Sequence, residues 1–181
     1  YEPSPLYDIG VAQTIGRRDK MEDAAVVSRC AAGEVVAVFD GHNGGAAARF
    51  CMEQIAARVA GITADNAQDE AVAVFAQLHA DIAQTTPSGT TASVCLIGEE
   101  HVVVALCGDS PVFLLRGAAV ERVGTDHSLA NPVEYDALVR NGGTVVTVHE
   151  VPRVNGEIVL TRSLGDTALH PPLIATPDVF V

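Results

Sequence analysis

The sequence has no tryptophan and little aromatic content of any kind, 4%. Its 48% hydrophobic share is therefore aliphatic, drawn from Ala, Val and Leu. Cations are scarce as well: 11 Lys and Arg stand against 23 Asp and Glu, ten of the eleven are arginine, and the formal charge is -12. Such a chain repels a nucleic-acid backbone or an anionic membrane surface unless it carries a compact basic patch, and the sequence contains none. Neither nucleic acid nor membrane is expected as a partner. A carboxylate-rich surface suits cations, although an acidic excess also arises from solubility alone.

Further absences narrow the chemistry. No apolar run approaches the length of a membrane-spanning helix, and the opening YEPSPLYD lacks the basic and apolar blocks of a signal peptide. Cys30, Cys51, Cys95 and Cys107 occur singly in apolar segments, with no C-x-x-C pair and no histidine at ligand spacing. They read as reduced core residues of an intracellular, cytoplasmic protein. No cysteine has an arginine six residues on, as thiol phosphatases require, and there is neither a Gly-Lys-Ser/Thr phosphate loop nor a GxGxxG after a strand. Thiol-based and nucleotide-binding enzymes drop out.

What is present is a pattern of short apolar segments punctuated by Gly, Asn and Asp. At 181 residues, without repeats or linkers, the chain reads as a single domain spanning 1–181. Strands are predicted near 6–14, 24–29, 34–39, 90–97, 101–107, 111–116, 119–123, 144–148 and 157–161. Gly98-Glu99-Glu100 and Gly117-Ala118 are short enough to join antiparallel neighbours, and Asn155-Gly156 between VPRV and EIVL is a strong hairpin signal. Two helical stripes follow one another: Ala47, Cys51, Ile55 and Val59, then Ala71, Phe75, Leu78 and Ile82. Asn131 as cap, Pro132, Glu134 three residues after the cap and the stop Gly142-Gly143 mark a third helix. The expected fold class is α+β: two antiparallel sheets packed as a sandwich, helices outside, and a metal site at one end between the sheets.

Three clusters can carry chemistry. VVAVF reads as a strand buried on both faces, so Asp40 in VFDGHNGG stands where a buried strand emerges. Asp-Gly and Asn-Gly are turn dipeptides, yet the helical period that follows makes this a strand-to-helix junction rather than a hairpin. In GRRDKMED, an extended backbone would put Arg18 and Glu22 on one face and turn Asp23 away. That pairing is either a salt bridge or a phosphate-and-metal arrangement, since a hard divalent cation wants several oxygens and Glu22, Asp40 and the Gly41 carbonyl could supply some. Asp109 in LCGDSP also follows an apolar strand, where Asp-Ser-Pro equally makes a type I turn.

Taken together, GRRDKMED, VFDGHNGG, SGTTA (88–92), CGDS (107–110), TDHSL (125–129), RVNG (153–156) and TRSLGD (161–166) resemble, in order and spacing, the metal-dependent Ser/Thr protein phosphatases of type 2C. The resemblance implies hydrolysis of phosphoserine and phosphothreonine on a phosphoprotein substrate, with Mg2+ or Mn2+ as cofactor. It implies Glu22 and Asp40 as metal ligands, the Gly41 carbonyl as a third, and Asp109 as ligand of a weaker additional metal. Arg18 would grip the phosphate, His42 would be the general acid, and Asp23 would accept from a water held by the metal. SGTTA and TRSLGD would be packing and turn elements, Arg162 and Asp166 would pair with each other, and His127 would support Asp126.

The family pattern also continues beyond this chain: an Asp-Gly and an Asp-Asn motif, whose aspartates ligate the first metal, have no counterpart here. The last strands and the C-terminal third of the family domain are absent from this sequence, so the family's two metals become one supported by these residues. Asn43 replaces a usual glycine and Pro111 a common arginine. Besides part of an active phosphatase whose last third is not represented in this sequence, this leaves a non-catalytic scaffold or phosphoprotein-binding subunit, with a protein partner covering exposed sheet edges.

Overall fold

The computed structural model describes residues 7–181. Its centre is a five-stranded sheet in the order β1-β2-β5-β6-β12, formed by β1 (Ala24–Cys30), β2 (Gly33–Phe39), β5 (Ala92–Ile97), β6 (Val102–Cys107) and β12 (Asp178–Phe180). Every neighbour in it is antiparallel. Helices α1 (Ala46–Arg58) and α2 (Ala67–Ala83) cover one face. Their stripes, Ala47, Cys51, Ile55 and Val59 with Ala71, Phe75, Leu78 and Ile82, pack on Val35, Ala37 and Phe39 in one continuous core. Buried aliphatic surface of this kind contributes about 25 cal/mol per Å2 and is the main force holding the helices to the sheet.

The predicted α+β class and antiparallel pairing are found, with helices on the outside. Besides the large sheet there are three small ones: β7 (Val112–Arg116) with β8 (Ala119–Val123), β9 (Val145–Val148) with β10 (Val151–Val154), and β11 (Leu164–Gly165) beside β4 (Gly89–Thr90) beside β3 (Gly41–His42). The two faces of the large sheet are unequal. On β2 the helix side is sealed, whereas Val38 on the other side is 46% exposed. The strand is therefore buried on one face rather than both, and its alternation follows the pleat.

The loops at 98–100 and 117–118 join antiparallel strands as predicted. Helix α3 (Pro132–Arg140) starts as expected, the Asn131 side chain accepting from the Val133 N–H at 3.1 Å. Two expectations fail. No strand forms at 7–14, and residue 6 lies outside the described residues. Asn155 and Gly156 do turn tightly, with φ of 51° and 82°, but the strand expected at 157–161 does not form, and only isolated bridges remain there, Ile158 to Val154 and Leu160 to Ser128. VPRV pairs instead with β9 across His149-Glu150, both with positive φ. That turn matches the right-handed twist of a hairpin without carrying the glycine that would mark it in sequence.

Candidate active site

The end of β2 is where the chemistry-bearing segments meet. Asp40 follows Phe39, its backbone held on both sides by the SGTTA segment: its N–H donates to Thr91 Oγ1 at 3.0 Å, its carbonyl accepts from the Thr91 N–H at 2.9 Å, and Thr90 Oγ1 donates to the same carbonyl at 3.1 Å. Asn43, with φ 56°, and Gly44, with φ 106°, then turn the chain from β3 into α1. Asn is among the few non-glycine residues that tolerate this left-handed backbone, which explains why it can stand at a position the family gives to glycine. Ser88 Oγ accepts from the Ala47 N–H at 3.0 Å and so caps α1 from outside the helix.

GRRDKMED approaches from the other side, opening with a turn at Gly16-Arg17 that the Arg18 N–H closes by donating to the Ile15 carbonyl at 3.1 Å. A Cβ on Gly41 would lie 2.2 Å from the Glu22 carbonyl oxygen, so only glycine lets the two segments touch. Arg18, Glu22, Asp23, Asp40 and Gly41 line one open cavity of about 480 Å3. Asp23 and Asp40 also line an adjoining cavity with Asp109 and Ser110. The expectation that Asp23 turns away is corrected: the segment bends at Asp19-Lys20 and forms no strand, so strand parity does not carry from Arg18 to Asp23, and Asp23 stands beside Asp40.

The electrostatics follow from this crowding. Burial raises the pKa of the Asp40 carboxyl, and the negative charges of Asp23 and Asp109 raise it further, against a smaller opposing pull from His42. Asp109 is raised by burial and then by Asp126. A cluster of acids that resists its own ionisation favours a proton or a cation. Among the described residues no group of three His, Cys, Asp or Glu side chains is arranged as a ready-made metal cage. The donor set does fit a hard divalent ion that keeps several waters and takes one or two carboxylates, as Mg2+ does.

Two sequence-based pairings are overturned. Arg162 does not reach Asp166: its guanidinium lies on Glu134, Nε at 3.0 Å and Nη2 at 2.5 Å, and on Asp178 at 2.9 Å. His127 does not support Asp126. It is fully buried, accepts from the Gly108 N–H on Nδ1 at 3.1 Å and meets Asp178 through Nε2 at 3.1 Å, while Asp126 pairs with Arg122. Asp166 instead lies 2.6 Å from His42 Nε2. Sequence reasoning missed this contact, whose only trace is the Gly-Asp pair that closes TRSLGD.

The four cysteines are free. Burial pushes the Cys51 thiol up to about 12 and Cys95 to about 11, and raises Cys107 as well, so these three are inert core residues. No helix among the described residues is long and apolar enough to cross a membrane.

Comparison with known proteins agrees with the geometry. A family model described as protein phosphatase 2C matches residues 7–181. Two rice (Oryza sativa subsp. japonica) proteins, probable protein phosphatases 2C 68 and 2C 30, are 33% and 32% identical over 95% of this chain, and the matches cover 58% and 50% of the relatives. The chain thus spans about half the length of the curated relatives it matches. Among solved structures, a C. elegans sex-determining protein superposes with TM-score 0.81 at 24% identity, covering 91% of this chain and 45% of that one. A phosphatase from Toxoplasma gondii gives 0.77 at 24%, covering 91% and 68%. A serine/threonine phosphatase from Staphylococcus aureus gives 0.68 at 20%, covering 93% and 67%. At these identities the structures establish the shared fold.

Proposed function

From the premise that the chain belongs to the protein phosphatase 2C family, we propose that it hydrolyses phosphoserine and phosphothreonine on proteins, with Mg2+ or Mn2+ as cofactor. Asp40, Glu22 and the Gly41 carbonyl would hold the ion, and Asp109 would bind a weaker one beside it. When bound, the ion lowers the pKa of water and neutralises phosphoryl oxygens. The observation that carries the reading is the convergence of Arg18, Glu22, Asp23, Asp40 and Gly41 on one open cavity.

The remaining work falls to this chain's own side chains. The Arg18 guanidinium is exposed and can grip two phosphoryl oxygens in a fork. Asp23 is placed to accept a hydrogen bond from water at the site. His42 gives a proton to the departing serine or threonine oxygen as the P–O bond breaks, while the oxygen of the attacking water forms the new P–O bond. The products are a free hydroxyl and inorganic phosphate, and the proton lost by the water replaces the one His42 gave.

The test is phosphate release from a phosphothreonine peptide by the full-length protein with Mn2+, compared with Asp40→Asn. Asp40 holds its neighbours through its backbone, so the substitution removes charge without loosening the junction. Metal-dependent turnover that falls by about a hundredfold or more in the variant supports the reading. Equal turnover in the two proteins, or none in either, ends it.

A further inference from the structure

The geometry points to Asp166 as the positioning residue of His42, holding the imidazole by Nε2 and leaving Nδ1 as the nitrogen that serves the substrate. The inference rests on the phosphatase reading for its consequence in catalysis, and on coordinates alone for the pairing.

Three short strands make the juxtaposition. In the order β11-β4-β3, Gly165 and His42 both pair with Gly89, so His42, Gly89 and Gly165 form one row across the ribbon. Asp166 comes next in the chain. Its backbone is left-handed, φ 48° and ψ 40°, as is that of Gly165, φ 84°, and this double turn swings the carboxylate back over the row. A Cβ on Gly89 would lie 2.1 to 2.3 Å from the carboxyl atoms of Asp166, so the carboxylate occupies the space that the missing side chain leaves. Gly165 is held from behind, its N–H donating to Nδ1 of His79 on α2 at 3.2 Å.

The chemistry of the contact argues for a role beyond holding a turn. Asp166 is 3% exposed, and a buried carboxylate is tolerated only where it is well partnered. Its carboxylate takes no backbone N–H among the described residues, as a turn-holding acid would. Its partners are Ser163 Oγ at 2.7 Å and His42 Nε2 at 2.6 Å, both on Oδ2. A carboxylate fixed on one imidazole nitrogen sets the tautomer and stops the ring from flipping. Nδ1 of His42 makes no hydrogen bond among the described residues, and the ring is within electrostatic reach of Asp40 and Asp109. SGTTA and TRSLGD therefore build the proton donor's seat, with Gly89 admitting the carboxylate and Gly165-Asp166 delivering it.

The leaving-group dependence separates this role from a structural one. A phosphothreonine peptide releases an alkoxide that needs a proton, whereas p-nitrophenyl phosphate releases a phenolate that does not. In the full-length protein with Mn2+, Asp166→Asn is expected to lower kcat on the peptide by about a hundredfold and on p-nitrophenyl phosphate by less than about fivefold. Gly89→Ala, which displaces the same carboxylate, is expected to give the same split. A parallel loss on both substrates in both variants overturns the inference. Independently of turnover, the 15N imidazole spectrum of His42 in metal-free protein should be that of the Nε2–H tautomer, lost in either variant. An Nδ1–H tautomer in the unsubstituted protein overturns the pairing. A protein that hydrolyses neither substrate refutes the phosphatase reading instead, and the imidazole spectrum still decides the pairing.

Discussion

Replacing Arg162 by methionine removes a cation from the most heavily bonded ionic cluster among the described residues while keeping most of its stem. The guanidinium donates to Glu134 Oε2 and Oε1, to Asp178 Oδ1 and to the Thr176 carbonyl. Glu134 has a side chain only 7% exposed, and after the substitution Thr161 Oγ1, at 2.8 Å, would remain as its only partner among these bonds. Breaking a buried pair from one side costs about 3 to 5 kcal/mol. The lower end applies because Asp178, 38% exposed, can hydrate, so the loss should be about 3 kcal/mol, or roughly 9 °C in Tm for a chain of this size. Urea unfolding followed by far-UV circular dichroism measures it, the chain having no tryptophan to report.

The pH dependence has a definite sign. Burial pushes Glu134 and Asp178 up, but Glu134's bonds to Arg162 and Thr161, and Asp178's to His127 and Arg162, outweigh it and leave both below their ordinary values. Their stabilisation is present above the unfolded pKa values of 4.5 and 3.8 and is lost as pH falls through the lower folded values. The gap between wild type and Arg162→Met should therefore be full at pH 7 and shrink in strong acid. A double-mutant cycle of Arg162→Met with Glu134→Gln should give a coupling of about 2 kcal/mol, and with Asp166→Asn less than about 0.5 kcal/mol. Coupling to position 166 exceeding coupling to 134 would refute the assignment.

Two further outcomes follow from single contacts. Ser88→Ala removes the acceptor for the Ala47 N–H at the start of α1 and should cost about 1 kcal/mol in the same urea experiment; no loss would mean that the cap is carried by water. His170 packs against His79 with the rings tilted and their centroids 4.3 Å apart, its Nε2 buried and unbonded, and burial followed by His79 lowers it to about 4. The unfolded ring takes its proton near 6.5, so stability should fall as pH drops from 6.5 towards 4. The ceiling is about 3 kcal/mol, reduced by partial hydration to roughly 2 kcal/mol. His170→Gln should flatten that part of the curve, and an unchanged slope would refute the assignment.

Local structure was legible from the sequence wherever one segment decides it. The stripes of α1 and α2, the Asn131-Pro132 start of α3 and the strand-to-helix junction at Asp40 follow from periodicity and caps. Contacts between distant segments were legible only through the ordered motifs. The spacing of Arg162 and Asp166 suggests a local pair, but Gly165 and Asp166 reverse the backbone and send the carboxylate to a histidine 124 residues away. Glu134, which looks like a capping-box acid, is drawn instead to Arg162, and Asn131 caps alone. Asp23 joins the acidic cluster because the backbone bends at Asp19-Lys20 ahead of it, and a side-chain rule for strands has no hold across that bend.

The account depends on oxygens from the 18–23 segment and the end of β2 enclosing a cation. Crystals of the full-length protein soaked in Mn2+ and measured for anomalous scattering test that directly. An anomalous peak about 2.0 to 2.2 Å from an Asp40 carboxylate oxygen, with Glu22 or the Gly41 carbonyl beside it and lost in Asp40→Asn, is the predicted result. Saturating Mn2+ with no density at Asp40, or a peak held elsewhere and unaffected by the substitution, would contradict it.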